Sequence, residues 1–163
     1  MMQVDYIIVG LGLAGLAFTK ELEKNKKSFL IFEDNSQNAS MIAGGVYNPV
    51  VLKRFTPVWN ASEQLNIALP FYEELEIQFN KKYHYPINIY RIFKSVEEQN
   101  NWFTATDNPA LSKYMNTKLI YEKHEGVLAD FGYGKLINTG RIDTKSLLED
   151  YRNYLTNRKL IRN

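Results

Sequence analysis

The sequence contains no cysteine. Disulfides, thiolate catalysis and thiolate metal sites are therefore excluded, as is a flavin attached through a cysteine of this chain. Histidine is nearly as scarce: His84 and His124 lie far apart and lack HxxxH-type spacing, so no metal site is expected. No apolar run approaches the roughly 20 residues of a membrane-spanning helix. The first apolar run starts so early that a signal peptide is not expected before it. Neither sign of charge dominates. The net charge is +2 with the lysines scattered, and Lys24-Asn25-Lys26-Lys27 and Asn80-Lys81-Lys82 read as solvated helix ends, so no nucleic-acid partner is expected. These features fit a cytoplasmic protein. With 163 residues, 45% of them hydrophobic and 23% charged, the chain has the balance of one soluble domain with a proper core.

What the chain does have is concentrated between Val4 and Glu33. Tyr6-Ile7-Ile8-Val9 is an apolar run with β-branched residues, and Gly10-Leu11-Gly12-Leu13-Ala14-Gly15 follows at once. A helix-compatible stretch reaches about Lys27, and a second apolar run, Phe29-Leu30-Ile31-Phe32, ends at Glu33. Strand, glycine turn, helix, strand and acid come in the order a dinucleotide site needs. Gly10 permits a tight turn, Gly12 lets backbone N–H groups approach a pyrophosphate, and Gly15 lets the helix pack closely on the strand. Leu13 and Ala14 open the helix whose N-terminus faces the phosphates. Glu33 lies 18 residues after Gly15, near the spacing expected for a carboxylate that accepts both ribose hydroxyls. An acid there argues against a 2′-phosphate, so FAD or NAD is favoured over NADP.

Further along, the helical face of Leu11, Gly15, Phe18 and Leu22 should lie on a sheet, with Lys20, Glu21 and Lys24 outward. After the polar run Asp34-Asn35-Ser36-Gln37-Asn38, the chain turns small and apolar from Met41 to Pro49. Asn60 with Glu63 predicts a helix start, and the spacing of Leu65, Ala68, Leu69, Tyr72, Leu75 and Phe79 carries the helix to about Lys82. Pro70 inside it predicts a kink or two abutting helices. From Pro86 the period changes to two, which predicts one strand with Ile87, Ile89 and Phe93 on its buried face. Ser95-Val96-Glu97-Glu98 predicts a short capped helix through Trp102. Lys118–Glu122 reads as a strand, and Val127–Ile137 as a hairpin bent around Phe131-Gly132-Tyr133-Gly134. Asp143 should cap a last helix that buries Leu147, Leu148, Tyr151 and Leu155 and turns Glu149, Asp150, Arg152 and Asn153 outward. Lys159–Asn163 resembles the opening of another strand.

The segment Ala43-Gly44-Gly45-Val46-Tyr47-Asn48-Pro49 bears on the choice of cofactor. Two adjacent glycines let a backbone run flush against a flat ligand, although a Gly-Gly loop is also an ordinary turn. Here the sequence resembles the FAD-dependent oxidoreductases of the D-amino acid oxidase and glycine oxidase type. The resemblance rests on Gly10, Gly12, Gly15 and Glu33, and on Ala43-Gly44-Gly45 with Pro49 shortly after the acid. Ser40 falls where that family has polar residues near the FAD phosphates. The order of long helix, sheet-rich insertion and return through Gly140-Arg141-Ile142-Asp143 also follows the family, though only the first 50 residues are specific.

The resemblance implies non-covalent FAD, with Ala43, Gly44, Gly45 and Val46 passing the pyrophosphate and reaching the flavin ring. It implies an α/β fold: a Rossmann-like FAD-binding βαβ domain, incomplete, from residues 1–83 and 143–163, with a sheet-rich α+β substrate-domain insertion at 84–142. The implied reaction removes a hydride from an amine or amino acid substrate and leaves an imine for water to hydrolyse. The family's substrate-binding arginine belongs to its second half, so Arg54, Tyr90 and Arg91 are the catalytic candidates in this chain. His124 has no neighbour in sequence to orient it as a base. The chain stops about where a third parallel strand should begin, which reads as an N-terminal portion, inactive by itself. Half of such a sheet leaves an exposed edge, and homo-oligomerisation is expected through it. Two other readings stay open: an NAD-dependent dehydrogenase, and a non-catalytic nucleotide-binding fragment or interaction module.

Overall fold

The computed structural model describes residues 3–34, 39–122 and 124–162. Residues Asn35–Asn38 of the polar run, and the last residue of the terminal strand expectation, lie outside the described residues. In chain order the elements begin with β1 (Tyr6–Val9), α1 (Leu13–Lys24), β2 (Phe29–Phe32), α2 (Ala39–Ile42) and β3 (Val46–Tyr47). There follow β4 (Val50–Val51), β5 (Thr56–Pro57), α3 (Ala61–Phe79), β6 (His84–Pro86) and β7 (Ile89–Ile92). The remainder is α4 (Val96–Thr106), β8 (Met115–Ile120), β9 (Tyr133–Leu136), β10 (Gly140–Ile142), α5 (Thr144–Asn157) and β11 (Ile161–Arg162). The result is a mixed α/β protein with several small sheets. Its contacts separate a first unit, the residues up to Gly45 and from Ile142 onward, from a second, Val46–Arg141.

In the first unit β1 and β2 pair in parallel, with Tyr6 opposite Phe29 and Val9 opposite Phe32. A parallel pair needs a crossover, which α1 supplies. β11 adds to the far side of β2, also parallel, with Ile161 opposite Ile31. One face of this sheet buries Ile8, Phe29 and Ile31. The helices contribute Leu16, Thr19 and Leu22 from α1, and Leu147, Leu148, Tyr151 and Leu155 from α5, as the spacing of α5 predicts. The α1 stripe is rotated from expectation: Leu11 and Leu22 are buried, but Phe18 is half-exposed, its ring edge-on to Tyr6 at 5.7 Å. α1 also ends at Lys24 rather than near Lys27, because Lys26 takes a positive φ. Asp143 caps α5 by accepting from the Ser146 N–H at 3.3 Å.

In the second unit the sheet β7-β9-β8 is antiparallel and packs on α4. Its core gathers Val50, Phe55, Phe93, Trp102, Met115 and Leu136. Ser95 accepts from the Glu98 N–H as expected of the cap, while the Glu98 carboxylate accepts from the Lys94 N–H rather than from that of Ser95, and α4 runs beyond Trp102 to Thr106. Three expectations differ from what is observed. The run from Pro86 is two strands in two sheets, β6 beside β10 and β7 beside β9, broken at Ile87-Asn88. Val127–Ile137 is no hairpin: β9 pairs with β8 and β7, and long-range pairing overrides the local turn signal of the glycines. α3 is a single helix containing Pro70, and Asn60 precedes it in the left-handed region without a side-chain cap. The compact unit also starts at Val46 rather than at residue 84. α3 lies within it because Leu65 packs on the core cluster and Ser62 meets the Tyr114 hydroxyl at 2.9 Å.

Candidate functional site

The glycine turn of the first unit is built from the end of β1. Gly10, at φ +87°, donates its N–H to the Phe32 carbonyl at 2.9 Å, which continues the β1–β2 ladder one residue past the strand. The Leu11 N–H then donates to the Glu33 carboxylate. Gly12 is the residue before α1; it is extended, and its carbonyl accepts from Leu16 at 2.9 Å. Gly12, the residue at the cap position, has no side chain to cap this helix. The first-turn N–H groups of Leu13, Ala14 and Gly15 have no intrahelical acceptor, and none among the described residues takes them. They form an electropositive, solvent-open terminus on a twelve-residue helix. A side chain at Gly15 would overlap the Gly10 carbonyl, so helix and turn approach this closely only with glycine there.

Glu33 follows β2 and is held from three sides. Its own N–H donates to the Arg162 carbonyl of β11 at 3.0 Å, and its carboxylate accepts from Leu11 and from Arg152, at 3.2 Å for the latter. The side chain is only 7% exposed. Arg152 was expected to point outward, but from α5 it reaches an acid 119 residues away in sequence. No local pattern signals that pairing.

Ser40 lies in α2, and its hydroxyl is the nearest group, at 3.5 Å, to where a Gly12 side chain would begin. The turn and α2 thus meet. Ala43 closes α2 with its N–H on the Ala39 carbonyl, and its carbonyl lies 3.5 Å from the Thr144 hydroxyl. Gly44 is exposed with open space beside it. Gly45 is different: it has a φ of +67°, and a side chain there would overlap the Ile142 carbonyl. The Ile142 N–H donates to the Gly45 carbonyl at 2.9 Å, closing the point where the chain leaves the first unit and re-enters it. Val46 begins β3 opposite Arg141 and counts with the second unit.

The structure therefore brings together Gly10, Gly12, Leu13, Ala14, Gly15, Glu33 and Ser40, with Ala43, Gly44 and Gly45 beside the start of α5. The three catalytic candidates are not gathered into one constellation. Arg54 is exposed in the turn between β4 and β5. Arg91 is tied to Glu98 at 2.7 Å and lies over the Phe55 ring. Tyr90, its neighbour on β7, stacks edge-on to Tyr133. His124 likewise meets Tyr133 through its ring and no acid. Among the described residues no cluster of three His, Asp or Glu side chains is placed to hold a metal, and no helix is long and apolar enough to cross a membrane.

No protein-family model matches the sequence. Among solved structures the chain is similar to a Tyr-to-Phe mutant of NikD in its open form, an unusual amino acid oxidase essential for nikkomycin biosynthesis. That likeness has a TM-score of 0.70 at 16% identity and covers 99% of this chain and 43% of NikD. The chain is also similar to glycine oxidase from Geobacillus kaustophilus, with a TM-score of 0.65 at 18% identity, covering 91% of this chain and 43% of that one. This chain spans less than half the length of either protein. At such identities the likeness is one of fold: over nearly its whole length, the chain folds as part of NikD and of a glycine oxidase do.

Proposed function

We propose that this chain is a portion of an FAD-dependent oxidoreductase that oxidises an amine or amino acid. The observation that carries the reading is the head of α1, where free first-turn N–H groups, the close Gly10–Gly15 approach and the Glu33 carboxylate meet in one place. That arrangement fits a dinucleotide: donors for phosphate beside an acceptor for ribose hydroxyls. The two solved structures described above are amino acid oxidases by name, which supports the substrate class.

In this reading Gly12, Leu13, Ala14 and Gly15 bind the pyrophosphate through backbone N–H groups, with Ser40 adding a hydroxyl. Glu33 accepts from the ribose, and its carboxylate shares its oxygens between that contact and Arg152. Ala43, Gly44, Gly45 and Val46 are the proposed flavin contacts, an assignment that comes from the family resemblance. When bound, FAD supplies the hydride acceptor. The first unit is the Rossmann-like cofactor domain, and the second, which holds the sheet-rich stretch expected to form the substrate domain, is the substrate domain. Arg54, whose guanidinium is exposed and makes no ion pair among the described residues, is the candidate best placed to meet a substrate carboxylate. Arg91, committed to Glu98, and Tyr90 are less free.

The test is the visible spectrum of the purified chain after it is mixed with FAD and passed through a desalting column. A retained flavin absorbance supports the reading. A colourless protein that retains NAD instead would favour the dehydrogenase reading, and one that retains neither would favour a non-catalytic module.

A further inference from the structure

The second unit contains a cavity of about 600 Å³ lined entirely by its own residues. That volume is in the range of small-molecule sites. Its walls are settled before any ligand arrives. The Tyr47 hydroxyl and His84 Nε2 lie 2.8 Å apart, and the N–H groups of Tyr83 and His84 both donate to Glu76 Oε1, at 2.5 and 2.6 Å. Thr139 and Ile87 exchange two hydrogen bonds, at 2.5 and 3.1 Å. Burial raises the Tyr47 phenol above its ordinary range, so this hydroxyl stays neutral.

Three polar side chains of the lining are left over. The amides of Asn66 and Asn88 and the ammonium of Lys113 make no hydrogen bond among the described residues; Lys113 rests only over the Tyr114 ring, at 5.1 Å. Among the described residues no acidic side chain lines the cavity, whereas Leu65, Leu69, Ile87 and Ile137 give it apolar walls. Donors without a carboxylate, around an apolar body, select an anion with a hydrocarbon portion. The geometry points to a binding site for a small organic carboxylate with an apolar body, its carboxylate held by Lys113 with the Asn66 and Asn88 amides. Because nothing acidic among the described residues faces the cavity, an α-ammonium group finds no counter-charge there and meets the Lys113 ammonium instead, so a simple carboxylate binds better than the corresponding amino acid. The site stands on the second unit alone and does not depend on the flavin reading.

The experiment titrates the isotope-labelled chain with hydrocinnamate, its neutral amide and phenylalanine, read by heteronuclear NMR. Hydrocinnamate should produce saturable shifts at the side-chain amides of Asn66 and Asn88 and at the backbone amides of Ile87 and Thr139. The neutral amide and phenylalanine should each bind about tenfold more weakly. Lys113→Met, at an exposed position, should weaken hydrocinnamate about tenfold and leave the affinity for the neutral amide unchanged. Equal affinity for acid and amide, non-saturating shifts, or shifts confined to other residues would overturn the proposal. The readout uses amides of the second unit, so its failure is distinguishable from a failure to bind FAD.

Discussion

β1 in the first unit and β9 in the second are both four-residue strands, yet they end in opposite circumstances. On β9, Tyr133, Gly134 and Leu136 are buried between partner strands and α4, with Trp102 and Phe93 fully enclosed nearby. On β1 only Ile8 is buried, while Ile7 and Val9 on the other face are 67% and 85% exposed. A small antiparallel sheet with one helix against it closes its own core. A parallel sheet is stable in water only when both faces are covered, and here helices cover one. The sheet carrying the glycine turn therefore has an unfilled demand for apolar contact along Ile7 and Val9, whereas β9 is enclosed.

The largest effect should come from the closed core. Trp102→Ala removes a fully buried ring and its hydrogen bond to the Asn116 carbonyl, and should cost about 4 kcal/mol. In hydrogen exchange the amides of β7, β8 and β9 should lose protection first; loss of β1 and β2 first would contradict the distinction between the units. Next comes the Gly-Gly segment. Gly45→Val forces a side chain into a positive φ and against the Ile142 carbonyl, and should cost about 3 kcal/mol in urea unfolding. Gly44→Ala meets open space and should change stability by no more than about 0.5 kcal/mol. Equal costs at the two glycines would sink this account of the segment.

A smaller effect concerns α1 and α5. Burial raises the Tyr151 phenol well above its ordinary value near 10.0, so the folded chain holds this proton after the unfolded chain has released it. Its contribution is complete below pH about 10 and is lost as pH climbs towards the folded value. Tyr151→Phe gives up the 2.9 Å bond to Thr19, at about 1 kcal/mol, and should flatten the loss of stability above that pH. An unchanged alkaline slope would remove Tyr151 as its source. Smallest in folding energy is Val9→Lys on the open face, within about 0.5 kcal/mol. If that face or its edge drives self-association, sedimentation equilibrium should show the variant shifted towards monomer. A wild-type chain that is already monomeric would count against the expected oligomer.

What the sequence made legible follows from how local each signal is. β1, the glycine turn, α1 and β2 are contiguous, so strand runs, glycines and helix period all point one way. α5 and α4 announce themselves through Asp143 and Ser95, whose caps act within three residues. Partners distant in the chain were not legible. Nothing near Ile87-Asn88 says that β6 and β7 join different sheets, and nothing near Gly132 says that β9 pairs with Met115–Ile120. The Arg152–Glu33 pair was invisible for the same reason. At the candidate site the glycines and the acid could be read, but the group holding that acid could not.

The most direct test of the central claim is an amide-resolved NMR titration of the chain with FAD, and with NAD as the comparison. The account predicts that FAD saturably shifts the amides of Leu11, Gly12, Leu13, Ala14 and Gly15 together with Glu33, and that NAD moves them less. If those amides stay still at saturating FAD, or if NAD moves them more, the head of α1 is not an FAD site and the proposed function is wrong.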